Sequence, residues 1–160
     1  YDNNFKINPP LRTIHDQNVL VDAVDSGLID IISTKHTPYT SLEKSEDFGN
    51  CPVGATGLET ALSATFELVR QKKLSLDAFV KSWGYNPRKI LNLPQYPILQ
   101  HKEAQLTIFN PNARVKIRKE QMVSKSHNCP FIGKELTGQV VGTYFQGNFY
   151  EAIPWETVAQ

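Results

Sequence analysis

The stretch Gly27-Leu28-Ile29-Asp30-Ile31-Ile32-Ser33-Thr34-Lys35-His36-Thr37-Pro38-Tyr39 decides the fold. Leu28 to Ile32 is a compact apolar run, rich in β-branched residues and broken only by Asp30. Such a run suits a strand buried on both faces of a parallel sheet. It leads into a polar loop, Ser33 to Tyr39.

The elements on either side alternate as an α/β chain requires. Upstream, Phe5 to Ile7 reads as a short strand stopped by Asn8-Pro9-Pro10. Thr13-Ile14-His15-Asp16 has the Ser/Thr-x-x-Asp/Glu form of a helix start. The helix it opens should bury Val19, Leu20, Ala23 and Val24, and Gly27 is placed to end it. Downstream, an irregular stretch runs to about Thr56, a length usually reserved for function. Leu58, Leu62, Phe66 and Val69 then recur at helical spacing. Ser75 caps a second helix with Leu76, Phe79, Val80 and Trp83 on its apolar side. Asn86-Pro87 reads as a cap and a first-turn proline.

After Pro94 the texture changes. Ala104 to Phe109, Arg114 to Ile117, Leu136 to Tyr144 and Asn148 to Ala152 read as strands. Gln146-Gly147-Asn148 reads as a hairpin turn. The fold class expected is therefore α/β, with residues 1–94 forming strand-helix units and residues 95–160 a β-rich module.

Composition excludes several roles. The net charge is +1 over 160 residues, too small a field to recruit nucleic acid or an acidic membrane. The densest basic stretch, Arg114 to Lys119, alternates with apolar residues like a solvated strand face. No apolar run approaches a membrane span, and no leader pattern stands at the start. The two cysteines, Cys51 and Cys129, are too few for a disulfide framework and lack metal-ligand spacing. They read as reduced thiols of a cytoplasmic protein. The chain opens on Tyr1 with polar residues and then a strand pattern, which predicts further protein ahead of it.

Six motifs, in order, resemble one family. Asn8-Pro9-Pro10-Leu11-Arg12 is similar to the Asn-Pro-Pro-Leu-Arg of dihydroorotases. Ile32-Ser33-Thr34-Lys35-His36-Thr37-Pro38-Tyr39 matches their Ile-Ala-Thr-Asp-His-Ala-Pro-His. Gly54-Ala55-Thr56-Gly57-Leu58-Glu59-Thr60 resembles Gly-x-x-Gly-Leu-Glu-Thr, and Asn86-Pro87-Arg88-Lys89-Ile90 resembles Asn-Pro-Ala-Arg-Ile. Ala104 to Asn110 resembles Ala-Asp-Leu-Thr-Leu-Phe-Asp. Ser124 to Phe131 resembles Ser-Lys-Ser-x-Asn-x-Pro-Phe. The resemblance implies the C-terminal part of a (β/α)8 TIM-type barrel, followed by strands of a small β module.

It also implies a chemistry, hydrolysis of a cyclic amide in pyrimidine biosynthesis. A metal-activated water and a carboxylate proton shuttle drive it. Here the resemblance marks a departure. Lys35 stands at the family's metal-ligating Asp, and a charged ammonium cannot ligate a cation. Tyr39 replaces a histidine that helps to hold substrate. Asn8 and Gly54 match pocket-lining positions, although an Asn or Gly there serves equally well as turn chemistry. His36 reads as a hydrogen-bonded structural residue, Glu59 as a charge favouring a helix start, and Trp83, Phe66 and Phe79 as core.

No His-x-His pair occurs, so no metal site and no catalytic residue is expected on this chain, although active family members use zinc. A closed barrel takes about 250 residues, so the expected partner is the missing N-terminal half of the barrel. The resemblance adds aspartate transcarbamoylase as a candidate partner for a non-catalytic scaffold, and an oligomer. Two alternatives stand beside it: the C-terminal half of an active zinc-dependent dihydroorotase, and a stand-alone binding module.

Overall fold

The computed structural model describes residues 1–158. The Thr-x-x-Asp signal works as read. Thr13 accepts from the Asp16 amide while the Asp16 carboxylate accepts from the Thr13 amide, opening helix α1, Ile14–Asp25. Gly27, at φ +77°, takes the left-handed turn after it. Helix α2 spans Ala61–Arg70. Helix α3, Leu76–Val80, is capped by the Ser75 hydroxyl, which accepts from the Ala78 amide.

The short helix expected at Asn86-Pro87 forms with Pro87 in its first turn, but Asn86 is its first residue and not its cap. A wide π turn, Lys81–Tyr85, carries α3 directly into α4, Asn86–Ile90. Pro87 has no amide to give to the preceding turn, and the wide turn absorbs the mismatch. The Asn86 side chain instead donates to the Asp30 carbonyl at 2.9 Å.

The two strands expected in the first half form no ladder. Residues 3–5 make a 3-10 turn, and Leu28 to Ile32 starts in a bend at Leu28 and Ile29 and forms no strand. The backbone groups of the second segment find only scattered acceptors, such as the Ser82 carbonyl for the Ile32 amide. A parallel strand needs neighbours to pair with, and none of the described residues supplies one.

The second half is a three-stranded antiparallel sheet, ordered β1-β2-β3: Leu106–Lys116, Glu135–Phe145 and Asn148–Glu151. The two strands expected before and after Pro111 are one strand with a bulge between Asn110 and Arg114. Pro111 lacks an amide for the ladder and is tolerated at such a break. The hairpin turn is two residues, Gln146 and Gly147, both at positive φ as a tight turn between twisted strands requires.

Two apolar cores result. Val21, Phe66, Leu74, Ala78 and Phe79 pack between the helices, with Phe109 of β1 set against them. The Phe66 and Phe109 rings meet edge to face at 5.1 Å. Phe109 also covers Gly138, where a Cβ would come within 2.1 Å of the ring. The second core is Ala113, Val115, Ile117, Leu136 and Trp155. The face of α1 is only half covered: Val21 is buried, but Val19 and Leu20 are exposed, as are Leu28 and Val80. No helix among the described residues is long and apolar enough to cross a membrane.

Candidate functional site

Where the first-half segments meet the loop before β2, the chain lines an open cavity of about 470 Å3. Asn8, Lys35 and Gly54 all line it, although 46 residues separate the first from the last in sequence. The remaining walls are largely apolar, with Phe5, Ile7, Leu11 and Val53 on one side and Pro130 and Phe131 on another.

Backbone bonds knit these walls together. The Gly54 amide donates to the Lys6 carbonyl at 2.8 Å, and the Thr37 amide to the Ala55 carbonyl at 2.9 Å. The Thr56 amide reaches the Asn128 carbonyl at 3.0 Å. Lys35 sits at φ +39°, in the left-handed region, with its carbonyl accepting from the Thr37 hydroxyl at 2.9 Å. Its side chain is exposed and makes no ion pair among the described residues.

Gly54 is needed for space, not for a turn. A Cβ there would lie 2.7 Å from Thr37 Cβ and 2.9 Å from the ring of Tyr39. Tyr39 thus stands behind the Gly54 wall and is not part of the lining. Asn8 is on the lining and exposed.

The strongest organising residues were not singled out from sequence. Asn128, 4% exposed, donates through Nδ2 to the carbonyls of Thr37 and Gly54, each at 3.1 Å. Its Oδ1 accepts from Ser126 Oγ at 2.6 Å and from the Tyr39 amide at 3.2 Å. The Ser126 hydroxyl also contacts the Tyr39 carbonyl. The Ser-x-Asn of the 124–131 motif is therefore a clasp from the β module onto the cavity loop.

Lys44 is a second such residue. It is 8% exposed, and its ammonium donates to the carbonyls of Pro52 and Gly54 at 2.9 and 3.1 Å. Burial pulls it below the ordinary lysine value, with the neighbouring Lys6 acting the same way and Cys51 and Asp2 opposing. Lys6 similarly donates to the carbonyls of Phe48, Gly49 and Cys51. Lysines bonded to loop carbonyls leave no sequence signature, because their acceptors are backbone.

Two structural readings are resolved. His36 Nδ1 accepts from the Gly57 amide at 3.2 Å, so that nitrogen is committed to the loop before α2. Glu59 does not act through the helix dipole. Its two carboxylate oxygens accept from the Val123 and Ser124 amides at 2.8 and 3.1 Å, anchoring the loop that leads to the clasp.

The donor set does not suit a metal. Among the described residues, no three His, Cys, Asp or Glu side chains come together. The cavity lining offers, among the described residues, an ammonium and neutral oxygens, but no carboxylate or imidazole. Cys51 and Cys129 are both free and buried.

No family model matches the chain. Over 149 residues it is 43% identical to a dihydroorotase of Carboxydothermus hydrogenoformans, which covers 92% of this chain and 35% of that protein. The L-hydantoinase (dihydropyrimidinase) from Arthrobacter aurescens superposes with a TM-score of 0.84 and 25% identity, over 97% of this chain and 36% of that one. An inactive dihydroorotase-like domain of a Chaetomium thermophilum CAD-like multifunctional protein superposes with a TM-score of 0.63 at 22% identity. It covers 91% of this chain and 40% of that one, a likeness of fold alone. The matched part of the solved structures is C-terminal, and the chain spans about a third of the length of the curated relatives it matches.

Proposed function

We propose, for a chain that belongs with the dihydroorotases and corresponds to their C-terminal third, that it forms one wall of a ligand pocket in a non-catalytic amidohydrolase barrel of pyrimidine metabolism. The observation that carries this reading is the place of Lys35. It lines the cavity beside Asn8 and Gly54, at the position where the resemblance puts a metal-ligating Asp. An ammonium there repels the cation whose bound water the chemistry needs. Asn8 and Gly54 would contact the ligand, while Tyr39 would hold the Gly54 wall from behind.

The rest of the barrel would come from residues outside this chain, on the same protein or on a second one. The exposed apolar side chains support this. Leu28 is 81% exposed and lies on the segment read as a barrel strand, and Val19, Leu20 and Val80 flank it in the same helical half. Uncovered apolar surface of this kind marks a face that another element covers. Residues 1–94 would complete the barrel and residues 95–160 the β module. A cytoplasmic scaffold role beside aspartate transcarbamoylase, in an oligomer, follows from the family resemblance. The inactive dihydroorotase-like neighbour is a precedent for such a fold without activity.

The test uses the full-length protein that contains this chain. Zinc content and dihydroorotate hydrolysis are measured on the wild type and on Lys35→Asp. The expected result is no turnover by the wild type and a gain in bound zinc with the variant. Stoichiometric zinc with turnover by the wild type would refute the reading and favour an active enzyme with another group in place of the carboxylate.

A further inference from the structure

The loop from Glu43 to Gly54 closes around two cations that the chain itself supplies. Lys6 Nζ donates to three of its carbonyls, those of Phe48 at 2.6 Å, Gly49 at 2.9 Å and Cys51 at 2.8 Å. Lys44 Nζ donates to two more, those of Pro52 at 2.9 Å and Gly54 at 3.1 Å. Each ammonium also faces an aromatic ring. Lys6 Nζ lies 5.4 Å from the centroid of Phe48, and Lys44 Nζ lies 6.0 Å from that of Tyr39. Carbonyl oxygens and ring faces both favour a positive charge.

The Lys6 cradle is the more complete of the two. A lysine ammonium carries three N–H donors, and three carbonyls take them. These carbonyls lie within four residues, on a turn closed by the Asn50 and Cys51 amides, both donating to the Asp47 carbonyl at 2.8 Å. Carbonyl dipoles converging on one point repel each other unless a cation stands between them. The Lys6 backbone is held separately, since its carbonyl accepts from the Gly54 amide at 2.8 Å. Its ammonium therefore reaches the turn as a point charge on a flexible stem.

We propose that the turn at residues 47–51 is a binding site for a primary ammonium cation, which Lys6 fills as a tethered ligand and which accepts a free alkylammonium once that ammonium is removed. No bond is made or broken. The loop runs on into Val53 and Gly54, which line the cavity, so the cation holds that wall in place. The inference is independent of what the cavity binds and of whether the whole protein turns over.

The test is limited chymotryptic cleavage after Phe48 in the full-length protein, wild type and Lys6→Ala, with salts exchanged at constant ionic strength so that screening is equal. In tetramethylammonium chloride, Lys6→Ala should be cut about ten-fold or more faster than wild type, the scale of one lost charge-assisted hydrogen bond. Methylammonium chloride should slow the cut saturably toward the wild-type rate. Potassium chloride, with the charge but no N–H donors, should restore less. Wild type should respond to none of these exchanges. Lys6→Met, whose stem still fills the cradle, should be cut fast in every salt. An unchanged rate in Lys6→Ala, no rescue by methylammonium, equal rescue by potassium, or rescue of Lys6→Met would each overturn the proposal. Failure of Lys6→Ala to fold in any of these salts would overturn it as well, because a free cation would then not replace the tethered one.

Discussion

Replacing Asn128 by Leu tests whether the clasp holds the cavity loop. The change keeps the volume of a 4% exposed side chain and removes four hydrogen bonds. Three of the four partners retain another contact. The Gly54 carbonyl keeps Lys44 Nζ at 3.1 Å, the Tyr39 amide keeps Ser126 Oγ at 3.0 Å, and the Ser126 hydroxyl keeps the Tyr39 carbonyl. The Thr37 carbonyl alone is stranded. One stranded buried group costs about 1–3 kcal/mol, and the partly compensated bonds add roughly 1 more. The expected loss is thus about 2–4 kcal/mol, read from the urea midpoint of the full-length protein at unchanged slope. Ser126→Ala should cost a similar amount, about 1–3 kcal/mol for one stranded group, because the Tyr39 amide keeps Asn128 Oδ1 but the Tyr39 carbonyl loses its partner. The double variant should cost less than the sum, since both residues serve one network. Limited proteolysis should also cut faster between residues 40 and 53. A loss below about 0.5 kcal/mol, within the range of ordinary surface changes, would refute the clasp.

Glu67 ties α2 to β2 by accepting from the Thr137 amide at 2.7 Å and from Arg70 Nε at 2.8 Å. Burial pushes its carboxyl up, but the bonds from Thr137 and Arg70 outweigh it and hold the carboxyl below its ordinary 4.5. The unfolded chain therefore takes up its proton first as pH falls. The contribution is full above about pH 4.5 and is lost as pH drops through the lower folded value. Glu67→Gln should cost about 1–2 kcal/mol near neutrality, with the difference shrinking on acidification; a pH-independent difference would contradict this. Gly54→Ala should destabilise by about 1–3 kcal/mol through overpacking against Thr37 and Tyr39, and an unchanged melting temperature would show that the wall yields freely. Cys51 and Cys129, at 2% and 1% exposure, should react with a thiol reagent only as fast as the protein unfolds; rapid labelling in native buffer would place a thiol at the surface.

Local signals were legible wherever the physics was local. The Thr13 capping box, the Ser75 cap and Gly27 each act through atoms a few residues apart and stand where they were read, and the turn read over Gln146-Gly147-Asn148 narrows to Gln146-Gly147, with Asn148 opening β3. The Leu28 to Ile32 run has the composition of a buried strand, but pairing is a property of neighbours, and here no neighbour is present. Residues 104–117 read as two strands because Pro111 interrupts the pattern. The ladder skips over it in a bulge, since Leu136 and Glu135 still find Val115 and Lys116. At the site, the gathering of Asn8, Lys35 and Gly54 was available through the family motifs. The roles of Lys44, Lys6 and Asn128 were not, because each bonds backbone carbonyls whose positions the sequence does not encode.

The same division bears on position 35, where the family resemblance leads one to expect a carboxylate. Its left-handed φ of +39° is one that Asp and Asn adopt more readily than Lys. That conformation is not maintained by the residue's own side chain. It is set by the Thr37 hydroxyl on the Lys35 carbonyl and by the Thr37 amide on Ala55. Asn128 fixes Thr37 in turn, and Lys44 fixes Gly54 opposite. Thr37 itself lines the cavity, Asn128 and Lys44 lie off the lining, and the Lys35 side chain makes no hydrogen bond or ion pair among the described residues. A change of the Lys35 side chain therefore leaves these loop contacts in place.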